Sequence, residues 1–218
     1  MLAASLQPRS GPLRVLAVGC HADDIELGCG GTLLGLIERH ADTEVTWVVL
    51  GAADARAEEA RASASAFLER AKTKTVIVEG FRDGYFPYLG PELKDRFEEL
   101  GQQVSPDVIF THTGNDLHQD HRLVAELTWN TFRDHLILEY EIPKYDADLT
   151  TPNVYVPLLQ EHARRKIDLL LEHFPSQSHK HWFTDDLFGS LLRLRGMEAN
   201  SPTGLAEGFR CRKLVLAH

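Results

Sequence analysis

Two short clusters of polar residues carry side chains with which this chain could bind a metal ion. The first is His21-Ala22-Asp23-Asp24, directly after an apolar run, and the second is His118-Gln119-Asp120-His121, within the polar segment 116–121. Charged groups at the end of a buried strand are unfavourable unless they are paired or coordinated. Because imidazole and carboxylate groups suit a divalent first-row metal, the two clusters together predict a hydrolytic metal site.

Only some of the polar residues in the two clusters can be metal ligands. A catalytic zinc uses three protein ligands and keeps one position open for water. His21 and Asp24 lie three residues apart on a strand-to-loop turn, and we take His121 as the third ligand. The spacing alone does not exclude Asp120 as a ligand. Asp120 also suits the N-cap of the helix that we expect to follow.

The other polar residues of the two clusters are candidates for catalysis. Successive side chains of an extended segment point to opposite sides, so Asp23 is available as a general base although its neighbour is a ligand. The metal lowers the pKa of a bound water towards about 7 and polarises the substrate carbonyl. His118 is expected to stabilise the developing oxyanion or to protonate the leaving amine. Asp120 is expected to orient the His118 imidazole and to favour its charged form.

Strands and helices alternate around the two clusters. Apolar runs predict strands over 13–19, 44–50, 75–78 and 107–111. Helices are predicted over 32–40, 56–70, 91–104, 123–138 and 158–174, with 28–32 as the turn before the first of them. This alternation is typical of an α/β, Rossmann-like doubly wound, mainly parallel sheet with helices on both faces. Ligands of such sheets bind beyond the carboxyl ends of the strands, and both clusters follow a predicted strand.

We expect a single domain over residues 1–218. Residues 1–12 are predicted to be a loose leader, and 140–218 an irregular C-terminal extension that closes over the site. Within that extension, 182–194 is compatible with a helix and 211–216 with a closing strand.

Composition restricts the partners and the location of the protein. The chain has 218 residues and a formal net charge of −9, which argues against nucleic acid as the main partner because phosphate binding needs a basic surface. No apolar segment reaches the roughly 18 residues that a membrane span requires, and residues 1–12 lack the pattern of a secretory signal. The three cysteines have no framework spacing, which indicates reduced thiols and a cytoplasmic protein.

The two clusters in combination resemble the signatures of the PIG-L/LmbE-like zinc-dependent N-deacetylases. His21-Ala22-Asp23-Asp24 with the following 26–32 resembles the N-terminal motif of that family, and 118–121 matches its His-x-Asp-His motif. Weaker similarities occur at 56–60, 83–84, 106–108, 166–177 and 207–210. Ala22 stands where the family often has proline, and Ile25 where it often has an acid. Neither residue is a proposed ligand, so we expect the chemistry to be retained.

The resemblance implies a Rossmann-like fold and hydrolysis of an N-acetyl group on a small-molecule amino sugar, with release of acetate and a free amine. It implies Zn²⁺ bound by His21, Asp24 and His121. It also implies Asp23 as the base and His118, supported by Asp120, as the second catalytic group. Arg56 and Asp83 are then candidates for substrate binding, and assembly into a homo-oligomer is common among relatives. Fe²⁺ or another divalent ion also suits two histidines and one carboxylate.

Three other functions are compatible with the same residues. A related amidase would remove a larger acyl group or cleave a sugar conjugate, an iron(II) oxygenase would use a similar ligand triad, and a non-catalytic relative would only bind sugars.

Four further residues or groups have simpler interpretations. They are Arg56 as a solvent-exposed helix charge, His112 as a loop histidine hydrogen-bonded locally, Cys29 as a packed side chain, and His173, His179 and His181 as parts of a mobile polar loop.

Overall fold

The computed structural model describes residues 4–8 and 11–215, in which a seven-stranded sheet lies between two layers of helices. The strands are β1 (Arg14–His21), β2 (Glu44–Gly51), β3 (Thr73–Val78), β4 (Val108–His112), β5 (Leu136–Tyr140), β6 (Val154–Pro157) and β7 (Ala206–Arg210). The helices are α1 (Asp24–Arg39), α2 (Asp54–Phe67), α3 (Gly90–Gln103), α4 (Gln119–Thr131), α5 (Gln160–His173) and α6 (Asp185–Glu198). Among the described residues, no helix has both the length and the apolar character needed to cross a membrane.

The strands of the sheet have the order β3-β2-β1-β4-β5-β7-β6. Strands β2 and β3 are added on one side of β1, and the strand order then reverses as the chain crosses to the other side of β1 to add β4 and β5. The first five strands are parallel, whereas β7 runs antiparallel to both β5 and β6. The reversal leaves a crevice at the carboxyl ends of β1 and β4, where such sheets bind ligands. Since β1 ends at His21 and β4 at His112, each strand brings a histidine to this crevice. The predicted α/β doubly wound fold is confirmed.

Alternate side chains of β1 belong to two different layers of the core. Leu16 and Val18 pack with residues of α3 and α4 on one face of the sheet. Val15 and Ala17 pack with residues of α1, α2 and α5 on the other face. All four are buried, as expected for a strand covered on both sides. Burial of one Val or Leu side chain stabilises the fold by about 1.5–3 kcal/mol, so the position of His21 at the end of this strand is strongly determined.

The turn predicted over 28–32 is wrong, because these residues lie inside α1, which begins three residues after the end of β1. A Cβ atom on Gly28 would lie 2.3 Å from Cδ2 of Tyr140, and one on Gly31 would lie 2.6 Å from Cδ1 of Leu158. The glycines therefore allow α1 to approach β5 and the segment before α5 closely. As a result, Asp24 falls in the first turn of the helix.

Three predictions in the second half of the chain also need correction. The helix predicted over 123–138 ends at Thr131, and its last residues belong to β5. The closing strand lies at Ala206–Arg210 instead of 211–216, and residue 216 is outside the described residues. The C-terminal part is also less irregular than expected, because it supplies α5, α6 and two strands.

In the N-terminal segment 1–12, which the sequence predicts to be a loose leader, residues 4–8 and 11–12 form no helix or strand. Its other residues lie outside the described part of the chain.

Candidate metal centre

The two polar clusters meet at the carboxyl edge of the sheet. His21 ends β1, and Asp24 and His121 lie in the first turns of α1 and α4. Nδ1 of His21 is 3.2 Å from Nε2 of His121, and Oδ2 of Asp24 is 3.6 Å from each of these nitrogens. Three ligands of a tetrahedral ion at about 2.0–2.1 Å are about 3.4 Å apart. The predicted ligand set therefore has the spacing that a zinc-sized ion requires.

Each histidine of this set has its other ring nitrogen next to a carboxylate. Nδ1 of His121 is 2.9 Å from Oδ2 of Asp116. Nε2 of His21 is 3.3 Å from Oδ2 of Asp120 and 3.1 Å from Oδ1 of Asp83. Carboxylates in this position fix the imidazole tautomer and make it a better ligand. The nitrogens left for an ion are the two that lie 3.2 Å apart.

The surroundings of Asp24 and Asp116 favour their negatively charged forms. Burial alone would raise the pKa of Asp24, but the imidazoles of His121 and His112 hold that pKa well below its ordinary value. Burial acts against Asp116 in the same way, and the hydrogen bond and charge of His121 lower its pKa overall. Two charged carboxylates at a buried site suit a bound cation.

Asp23 occupies a strained backbone position at the N-cap of α1. Its φ is 101°, in a region that costs a residue other than glycine about 1–3 kcal/mol. Asp23 is 7% exposed, and its Oδ1 lies 3.3 Å from an Arg56 nitrogen. Burial raises the pKa of Asp23 to about 7, although the charge of Arg56 opposes this. A carboxylate with this pKa is suited to accept a proton from water near neutral pH.

Arg56 is held by protein groups around Asp23. Its guanidinium donates to the backbone carbonyl of Ala22 and, at 3.0 Å, to Oγ of Ser176. It also pairs with Oε2 of Glu59 at 3.1 Å. This half-buried environment does not fit the interpretation of Arg56 as a solvent-exposed helix charge. It places the guanidinium of Arg56 beside Asp23, and the predicted contact of Arg56 with substrate stays a prediction.

His118 forms the N-cap of α4. Its Nδ1 accepts a hydrogen bond from the backbone N–H of Asp120 at 3.3 Å, so in the neutral ring the proton lies on Nε2. Burial and the charges of His121 and His21 lower the pKa of His118, and they outweigh the opposite effect of the Asp120 carboxylate. The environment therefore favours a neutral His118, where the sequence predicted a charged one.

The carboxylate of Asp120 has different partners from those predicted. It accepts hydrogen bonds from the backbone N–H groups of Gly84 at 2.6 Å and Phe86 at 3.2 Å, and it contacts His21. Asp120 thus orients His21, whereas the sequence predicted that it orients His118. The N-cap interpretation of Asp120 is wrong because His118 takes that position. Asp83, predicted to bind substrate, lies at the rim of the site with 74% of its side chain exposed.

Sequence reasoning missed two members of the site, His112 and Asp116. His112 is fully buried, its Nε2 accepts from the backbone N–H of Cys20 at 3.0 Å, and it lies 3.2 Å from Oδ2 of Asp24. The interpretation as a locally hydrogen-bonded loop histidine is therefore wrong. Burial lowers the pKa of His112 to about 4, so the ring is neutral near pH 7. Two features of the sequence could have indicated these residues. His112 directly follows the predicted strand 107–111, and Asp116 begins the polar segment 116–121.

Cys29 and the group His173, His179 and His181 lie outside this centre. Cys29 is fully buried and packs in the apolar core, as predicted. Within the residues that the structure describes, His173, His179 and His181 belong to none of the side-chain groups close enough to share an ion.

The fold and the site together define an α/β protein with a candidate mononuclear metal centre at the switch point of its sheet. Residues 16–132 match the PIG-L family, described as GlcNAc-PI de-N-acetylase. The match covers more than half of the chain and includes both polar clusters. The chain belongs to the PIG-L family.

Three solved structures illustrate the shared fold. The N,N'-diacetylchitobiose deacetylase from Pyrococcus horikoshii is 20% identical with a TM-score of 0.64, over 91% of this chain and 83% of that chain. GalB, the 4-carboxy-2-hydroxymuconate hydratase from Pseudomonas putida KT2440, is 16% identical with a TM-score of 0.74, over 94% and 98%. The zinc-inhibited form of teicoplanin deacetylase Orf2 is 15% identical with a TM-score of 0.68, over 90% and 96%. At such identities the likeness establishes the fold.

Proposed function

We propose that this protein hydrolyses an N-acetyl group on an amino-sugar-containing small molecule and releases acetate and a free amine. The observation that carries the proposal is the triangle of ligand atoms from His21, Asp24 and His121, with Asp23 beside it. Membership of the PIG-L family supports the reaction class. Two of the structural relatives are named as deacetylases, one of diacetylchitobiose and one of teicoplanin.

Zn²⁺ is the ion that we propose for the centre. It would be held by Nδ1 of His21, Oδ2 of Asp24 and Nε2 of His121, a donor set that zinc hydrolases use. When bound, it would supply a water of lowered pKa and polarise the amide carbonyl. Fe²⁺ accepts the same donors, so the identity of the ion has to be measured.

Two side chains move or hold protons in the proposed reaction. Asp23 accepts a proton from the attacking water and later donates it to the departing amine nitrogen. A pKa of about 7 suits both directions of transfer. His118 keeps its proton on Nε2 and donates a hydrogen bond to the carbonyl oxygen as negative charge develops there. We propose that Asp83, which is exposed at the rim, accepts a hydrogen bond from a substrate hydroxyl.

The test is acetate release from a panel of N-acetyl sugars after chelation and measured return of metal. Zinc should be added up to one equivalent per chain, because one relative is described in a zinc-inhibited form. Anaerobic Fe²⁺ provides the comparison. His162→Ala is a suitable control, since His162 pairs with Glu38 on the surface away from the centre. Absence of acetate from every sugar with the metal-loaded protein would contradict the proposal.

A second candidate function is the addition of water to a carbon–carbon double bond. GalB is named as a hydratase, and its TM-score of 0.74 exceeds those of the two deacetylases compared above. A base next to an activated water would serve this reaction as well. Loss of the ultraviolet absorbance of an unsaturated dicarboxylate, together with no acetate from any sugar, would favour hydration over deacetylation.

Three predictions about the whole protein accompany this proposal. We propose one domain over 1–218, a cytoplasmic location and assembly into a homo-oligomer. Size-exclusion chromatography with light scattering tests the assembly, and limited proteolysis tests the domain organisation.

A further inference from the structure

A lysine in the loop between β5 and β6 reaches towards the metal centre from outside it. Nζ of Lys144 lies 3.0 Å from Oδ1 of Asp116, and 2.7 Å and 2.5 Å from the two carboxylate oxygens of Asp148. The side chains of Lys144, Asp116 and Asp148 are 12%, 1% and 5% exposed. These three residues form a charged triad that is almost withdrawn from solvent.

The triad is attached to the segment that presents both histidines of the second cluster. Oδ2 of Asp116 contacts Nδ1 of His121 at 2.9 Å, and its Oδ1 accepts from the backbone N–H of His118 at 2.8 Å. Oδ2 of Asp148 accepts from the backbone N–H of Leu117 at 2.7 Å. The rotation of the His121 ring and the path of 116–118 therefore both depend on the two carboxylates that Lys144 joins.

We propose that Lys144 is a positioning residue of the metal centre, which holds Asp116 in the orientation that fixes the His121 ring for metal binding. The inference rests on the proposed ligand set. Without the lysine, Asp116 and Asp148 would be two buried like charges with no cation between them, which is strongly unfavourable. We expect the Asp116 side chain to turn away from His121, so that the His121 ring loses its hydrogen-bond partner. Loss of such a partner reduces metal affinity by about 10–100-fold.

A second cation holds the same loop but does not contact the centre, which provides a matched control. Arg195 of α6 pairs with Glu141 at the start of the loop, with Nε and NH2 each 2.7 Å from a carboxylate oxygen. It also donates to the carbonyl of Thr150 at 3.1 Å. The side chain of Arg195 is 5% exposed, compared with 12% for Lys144. Its replacement should loosen the loop without directly disturbing Asp116.

The experiment measures Zn²⁺ affinity of the full chain by competition with a chromogenic chelator, with circular dichroism as the check on folding. Lys144→Met is expected to bind zinc about 10–100-fold more weakly than the wild type. Lys144→Arg, which keeps the charge, should recover part of this loss. Arg195→Met should lower the melting temperature and leave zinc affinity at the wild-type value.

Two results would overturn the inference. One is wild-type zinc affinity in Lys144→Met, and the other is an equal loss in Lys144→Met and Arg195→Met, which would indicate a general effect of the loop. If Lys144→Met does not fold, Asp148→Asn takes its place, and unchanged affinity there also overturns the inference. The readout is metal binding, so it is independent of whether any sugar amide is hydrolysed.

Discussion

The two clusters contribute to one candidate metal centre, but different interactions hold them in place. The first cluster ends β1, which is hydrogen-bonded to β2 on one side and β4 on the other, and it continues directly into α1. The second follows the loop after β4, and its position depends on contacts with Asp116, Lys144 and Asp148. The buried sheet and the direct connection to α1 fix the backbone of the first cluster, and Arg56 and Asp120 contact it from other segments. The second needs charged partners from a distant loop, so it is the part of the site more sensitive to substitution elsewhere.

The largest effect is expected from removal of the ligand that the second cluster supplies. His121→Ala leaves two ligands, fewer than the three that a catalytic zinc needs, so both bound metal and amide hydrolysis should be lost. Elemental analysis after desalting measures the metal. Unchanged metal content would show that His121 is not a ligand.

Asp23→Asn should separate catalysis from metal binding within the first cluster. Asparagine tolerates the positive φ of this position, and the ligand atoms stay in place. Loss of a general base reduces the rate by about 10²–10⁴-fold, so kcat should fall while metal content stays at the wild-type value. Full activity in this variant would rule out Asp23 as the base.

The two carboxylates that orient the histidines provide a direct comparison of the clusters. Asp116→Asn should weaken zinc binding by about 10–100-fold, because Asp116 lies 2.9 Å from Nδ1 of His121. Asp120→Asn should weaken it less, since its contact with His21 is 3.3 Å and Asp83 lies next to the same nitrogen. Chelator competition measures both affinities. The reverse order would contradict the view that the second cluster depends more on its partners.

The smallest effect on the centre is expected from packing changes in α1. Gly28→Ala places a methyl group against the buried ring of Tyr140, and overpacking of this kind costs about 1–3 kcal/mol. Gly35→Ala is the control, because its Cβ would meet only the ring of His162 at 3.3 Å. Urea denaturation should show a lower free energy of unfolding for Gly28→Ala alone. A stability equal to that of the wild type would show that α1 can shift on the sheet.

Much of the fold could be predicted because periodic apolar runs mark elements that are buried or half-buried. β1, β2, β3 and β4 lie close to their predicted positions for this reason. The start of β5 lies in a predicted helix, because the segment 132–135 between α4 and β5 contains no glycine or proline to mark the end of the helix. The closing strand is predicted over 211–216 and not at β7, because the sequence of β7, AEGFR, has little strand character. It forms a strand because it pairs with β5 and β6, a tertiary effect that local sequence does not report.

The sequence by itself determined which residues could bind a metal and act on water, because His21, Asp23, Asp24 and His121 adjoin strands whose carboxyl ends share one edge of the sheet. Only the tertiary structure decided how these residues are supported. It pairs Asp120 with His21 and Asp116 with His121, places the buried His112 beside Asp24, and joins Asp116 to Lys144. The physical reason is that each of these contacts depends on the distance and direction between groups that separate segments bring together. Spacing along the chain does not contain that information.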